Sequence, residues 1–180
     1  MIEVSNHLGE TTKTTYDKAN RVTVVENAEN ERVTTVYDDD GRAILQSNGM
    51  ADEWTQTEYD RVNRPVVVIN PIGERSTTIY DKAGRAIAVS NGMGEVTATA
   101  YDDASRVKVV TNAELEKTTT IYDLAGRAVS VLNGMSEPTD TIYDKLNRAV
   151  AVVNAKGERT ATVYDNDGRA THQYLSLIHI

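Results

Sequence analysis

The dipeptide Tyr-Asp returns eight times, at Tyr16, Tyr37, Tyr59, Tyr80, Tyr101, Tyr122, Tyr143 and Tyr164, with steps of 21, 22, 21, 21, 21, 21 and 21 residues. A period this regular makes the chain an array of one supersecondary unit, each copy contacting mainly its neighbours. A feature repeated in every unit reports what the unit needs to fold, whereas an active site occurs once.

Aligned on tyrosine, the unit reads Thr-x-Tyr-Asp-x-x-(Gly/Asn/Ser)-Arg, then a β-prone stretch, then Asn-x-x-x-Glu. Asp follows every Tyr, at Asp17, Asp38, Asp60, Asp81, Asp102, Asp123, Asp144 and Asp165, and Arg stands five after it, at Arg21, Arg42, Arg64, Arg85, Arg106, Arg127, Arg148 and Arg169. In Asp81-Lys82-Ala83-Gly84-Arg85 the aspartate is placed to cap the following amides as an Asx turn. Gly84 is placed to take the left-handed conformation, a position that holds Gly, Asn or Ser in all eight copies. That is the pattern of a type I turn plus a bulge, so a three-residue hairpin loop is expected with Asp and Arg facing each other across it.

In this register Tyr80 falls opposite Ala86, and simple continuation sets Ile79 opposite Ile87, Thr78 opposite Ala88 and Thr77 opposite Val89. One face then carries Tyr, Thr and small residues. The other carries Ile79, Ile121, Ile142 and Val163 with the valines of the Val89 column, and is expected to be the core face. The second connection, such as Asn70 to Glu74, reads as another Asx-type turn. Because side chains alternate with period two, two odd loops cannot keep every Tyr on one face, so this loop needs an even count or a bulge must restore the parity. The one extra residue falls here, within Asn48–Glu53.

The formal net charge of -8 argues against nucleic acid and anionic membranes, which call for a basic face. No apolar run approaches the roughly 20 residues of a membrane helix, and no signal-peptide pattern opens the chain. Cysteine is absent, which excludes disulfides and thiolate metal sites, and with no Phe and one Trp the apolar payload is light. His7, His172 and His179 stand alone, and the loop carboxylates at Asp38-Asp39-Asp40 match no EF-hand or calcium-roll spacing. No cofactor, metal or catalytic group is therefore expected.

These columns resemble the Rhs or YD-repeat family, found in bacterial polymorphic toxins, insecticidal toxin complexes, wall-associated proteins and the animal teneurins. The Tyr-Asp-x-x-Gly-Arg core and a turn glycine about seven residues before Tyr, at Gly9, Gly73, Gly94 and Gly157, carry the resemblance over about residues 1–170. The family usually has Leu after Gly-Arg and often an aromatic two before Tyr, whereas this chain has mainly Ala or Val and always Thr. The resemblance implies an all-β array of antiparallel hairpins in a twisted, curled sheet or partial shell, with about sixteen strands from eight repeats. It also implies a non-enzymatic segment of a large secreted or cell-surface bacterial protein, whose partners are the rest of that chain and an enclosed effector.

The array is expected to be one domain over 1–170, followed by a non-repeat tail over 171–180. Met1 falls in the column after Arg and the repeat stops mid-strand after Ala170, so a fragment of a longer chain is expected, and Ser176–Ile180, which resembles translated sequencing-adapter sequence, is expected not to be natural sequence. The alternative function is carbohydrate binding or adhesion, with Trp54 as the candidate glycan contact at an irregular loop. The alternative fold is a parallel β-solenoid of about 21 residues per coil, against which the two turn signals per repeat argue.

Overall fold

A computed structural model of the protein describes residues 1–47, 49 and 53–177, with backbone alone at 176 and 177. Most of the irregular loop expected within Asn48–Glu53, and residues 178–180 of the expected tail, lie outside the described residues. The chain divides into two compact units, Met1–Val96 and Thr97–Ile180.

The first unit holds β1 (Ile2–Ser5), β2 (Thr11–Tyr16), β3 (Val22–Glu26), β4 (Arg32–Tyr37), β5 (Ala43–Ser47), β6 (Trp54–Tyr59), β7 (Pro65–Ile69), β8 (Arg75–Tyr80) and β9 (Ala86–Ser90). β10 (Val96–Tyr101) begins on its last residue. The second unit continues with β11 (Val107–Thr111), β12 (Lys117–Tyr122), β13 (Ala128–Leu132), β14 (Pro138–Tyr143), β15 (Ala149–Val153), β16 (Glu158–Tyr164) and β17 (Ala170–Leu177). Within each unit consecutive strands pair antiparallel, and no helix occurs among the described residues. Among the described residues the strands number seventeen, one above the sixteen that eight repeats supply, because β1 fills the column of the strands that follow Arg.

The two connections of each repeat share one hydrogen-bond pattern. The Asp81 amide donates to the Arg85 carbonyl at 2.9 Å and the Gly84 amide to the Asp81 carbonyl at 3.1 Å. In the second loop Asn70 donates to Glu74 at 3.0 Å and Gly73 to Asn70 at 2.9 Å. Both are three-residue loops whose last residue has positive φ: 85° at Gly84 and 83° at Gly73, with Asn63 at 65° and Leu115 at 65° in equivalent places.

Two equal odd loops require a bulge, and each of the eight Tyr hairpins has one. Tyr80 faces Ala86 as expected, but Ile79 faces Ala88, Thr78 faces Val89 and Thr77 faces Ser90. Ile87 is the unopposed extra residue, so the simple continuation of the register is corrected by one position beyond Tyr. The same geometry accommodates Pro65 inside a paired strand, since it stands opposite Tyr59 at the bulge.

The shift redistributes the faces. Val25, Val68, Val89, Val110, Val131 and Val152 pair with Thr14, Thr57, Thr78, Thr99, Thr120 and Thr141 on the Tyr face, not with the Ile column. Nor is the Ile column a core, for Ile79 is 55% exposed and Ile121 and Ile142 are nearly as open. Among the described residues the buried apolar side chains are Val67, Ala151 and Ala161, small residues on the Ile face, where Ala151 stands between Ile142 and Ala161. Hairpins laid side by side cover little of either face, so burial collects where small side chains sit between neighbours.

Candidate functional site: the tyrosine, arginine and aspartate seam

Each Asp of the Tyr-Asp column folds over its own loop. Asp60 Oδ1 accepts the amides of Val62 at 2.9 Å and Arg64 at 3.0 Å, while Oδ2 accepts Arg64 Nε at 2.7 Å and Nη2 at 2.6 Å. Asp17 with Arg21, Asp38 with Arg42, Asp81 with Arg85, Asp102 with Arg106, Asp123 with Arg127, Asp144 with Arg148 and Asp165 with Arg169 repeat the pairing. The amide of Arg64, followed by its guanidinium, holds the Asp60 carboxyl below the usual carboxylate range, against the opposing effect of burial. At Asp38 the Arg42 guanidinium is the leading cause, and Asp38 in turn raises Arg42.

The second loop uses the same frame with the polarity reversed. Asn70 Oδ1 accepts the amides of Ile72 at 3.1 Å and Glu74 at 2.9 Å, and Asn70 Nδ2 donates to Glu74 Oε2 at 2.7 Å. Asn plays the part of Asp and Glu that of Arg, which explains why the chain repeats both pairs at the same four-residue spacing.

What the sequence does not reveal is a link between repeats. The guanidinium carbon of Arg64 lies 4.5 Å from the centroid of the Tyr80 ring, which belongs to the following hairpin. Tyr80 OH donates back to the carbonyl of Pro65 at 2.9 Å, and Arg64 Nη1 donates forward to the carbonyl of Asp81 at 3.3 Å. Arg21 with Tyr37, Arg42 with Tyr59, Arg106 with Tyr122, Arg127 with Tyr143 and Arg148 with Tyr164 form the same contact at 4.4 to 5.2 Å. The longest of these is Arg42 with Tyr59, whose connecting segment contains the extra residue.

Arg169 serves as an internal control. No Tyr-Asp of a following repeat stands after Arg169 in this sequence, and its side chain is 74% exposed while the other seven lie between 24% and 33%. Tyr16 and Tyr101 take the same places in their own hairpins, opposite Val22 and Val107. The eight rings are half-buried.

The remaining candidates lie away from this seam. Trp54 opens β6 half-buried, opposite Ser47. Ser47 itself is buried, and its hydroxyl accepts the Thr34 amide at 2.8 Å where the β4–β5 ladder stops short. His7 and His172 are exposed and separate, and His179 lies outside the described residues. Among the described residues no three His, Asp or Glu side chains gather closely enough to hold a metal ion. Chemically, the seam is a repeated set of charge-assisted hydrogen bonds that fixes each turn and joins it to the next.

The family description that matches this chain is the teneurin YD-shell, over residues 51–172. A search of curated proteins found no match. Among solved structures, a Photorhabdus luminescens Tc holotoxin pore matches with a TM-score of 0.50 at 11% identity, covering 92% of this chain and 14% of that one. A crystal structure of TcdB2-TccC3 without its hypervariable C-terminal region matches at a TM-score of 0.42 and 14% identity, covering 94% of this chain and 14% of that one. This chain therefore spans about one seventh of the length of the chains it resembles. With the family description matched over more than half its length, the chain belongs to the teneurin YD-shell family.

Proposed function

We propose that this segment is a non-enzymatic wall element of a larger β-shell in a secreted or cell-surface bacterial protein, and that the shell encloses or displays an effector encoded elsewhere in its chain or complex. The observation that carries this reading is the seam itself: the polar side chains that recur in every unit are engaged in holding turns and joining hairpins. A wall needs such a device at every step, and a catalytic centre does not. Family membership and the fold shared with a Tc holotoxin pore support the same reading.

The test is electron cryomicroscopy of the complete protein from the full reading frame. The reading expects hairpins of this register curving into a wall around separate density, with that density resistant to protease until the wall is opened. An open array without an enclosed volume, or hydrolytic activity lost with the Asp60→Asn and Asp81→Asn variants, would overturn it.

A further inference from the structure

The first unit has two unlike edges. Because consecutive strands are antiparallel, the loops after Tyr line one edge and the Asn-to-Glu loops line the other. On the Tyr edge, Asp17–Arg21, Asp38–Arg42, Asp60–Arg64 and Asp81–Arg85 carry six Asp against seven Lys or Arg. The leading Asp of each is paired with its own Arg. On the other edge, Asn6–Glu10, Asn27–Glu31, Asn70–Glu74 and Asn91–Glu95 carry five Glu and no Lys or Arg.

The acidic edge also bears large apolar tips. Leu8 is 70%, Ile72 79% and Met93 77% exposed. Ile72 and Met93 project from successive loops two strands apart, a separation of about 10 Å. At the same edge an open cavity of about 380 Å³ lies between the Asn6 and Asn27 loops, lined by Val4, Thr12 and Ala28 together with Glu10 and Glu29.

We propose that this edge is a docking surface for a basic amphipathic helix of a partner protein. Its Lys or Arg side chains would meet the glutamate row, and apolar side chains at i and i+7, about 10.5 Å apart, would cover Ile72 and Met93. Arg32 and Arg75 follow Glu31 and Glu74 at the start of their strands. Within the loops themselves, however, the charges around the exposed apolar tips are all acidic, which marks an interaction surface and favours a basic partner. The charge also argues against a symmetric pair of copies meeting through this edge, since both would present the same glutamates, and the opposite edge, with six Asp against seven Lys or Arg, is close to neutral.

The experiment is fluorescence anisotropy of this chain with a labelled amphipathic Lys/Leu peptide, run at two salt concentrations. The proposal expects binding that weakens by about tenfold or more in the Ile72→Ser, Met93→Ser double variant. It also expects a shallower salt dependence in the Glu74→Gln, Glu95→Gln double variant, with unchanged binding for Val62→Ser, Asp39→Asn on the opposite edge. Circular dichroism checks that each variant keeps the parent's sheet signal. Absent binding, equal losses from both edges, or indifference to Ile72 and Met93 would each overturn it; the last would mean charge attraction without a docking surface.

Discussion

Arg64 lies over the ring of Tyr80, 4.5 Å from its centroid, while its own hairpin holds it through Asp60 at 2.6 Å. One side chain thus closes a turn and grips the next repeat. The Tyr-Asp clock is read out as this alternation of local closure and forward contact.

The backward half of the grip is testable at Tyr143, whose hydroxyl donates to the Ala128 carbonyl at 3.0 Å. Tyr143→Phe removes that bond and keeps the ring, so a loss of about 1 kcal/mol is expected. Tyr143→Ala also removes the stacking surface for Arg127, and a loss of about 2 kcal/mol is expected for a half-buried ring. Urea denaturation measures both.

Backbone conformation gives a prediction with the opposite sign. Leu115 sits at φ 65° in the left-handed position where other repeats place Gly73, Gly94 or Gly157. Its side chain is exposed, so Leu115→Gly gives up little contact while relieving the strain. A gain of about 0.5–1 kcal/mol is expected in thermal or urea melts.

Close approach between loops makes another. A Cβ built on Gly92 would stand 2.5 Å from Glu74 Cβ, whereas one on Gly134 would stand 3.1 Å from Glu116 Cβ. Gly92→Ala is therefore expected to destabilise more than Gly134→Ala, by about 1 kcal/mol or more. Comparable melts for the two variants would show that the loops yield without cost.

The paired aspartates set the response to acid. Their carboxyls titrate lower in the folded chain than in the unfolded chain. Their stabilisation is therefore complete above the unfolded value of about 3.9, and is lost as pH falls through the lower folded values. Asp60→Asn keeps the turn acceptor and removes one titrating group, so its stability is expected to fall less steeply than the parent's below about pH 4. Urea midpoints measured across that range provide the check.

Much of this architecture was legible in the sequence because its cues are local. Asp81, Gly84 and Arg85 specify their loop by residue type, and the parity of the repeat called for either an even second loop or a bulge, of which the structure uses the bulge. The site of the bulge was not legible. Setting Ile87 aside rather than a loop residue depends on how β8 and β9 meet, which moves Val89 to the Tyr face. The Arg64 and Tyr80 contact was hidden for the same reason, since it crosses between repeats whose spacing in the sequence says nothing about which side chains overlap. The expected Ile core failed because hairpins lying side by side leave Ile79 without a second layer.

The coupling of one repeat to the next is measured most directly by a double-mutant cycle on Arg64→Ala and Tyr80→Ala, followed by urea denaturation. A seam that joins hairpins through this pair predicts a coupling of about 0.5–1 kcal/mol beyond the sum of the single losses. Additivity within about 0.3 kcal/mol would contradict it, and would mean that Arg64 serves its own turn alone.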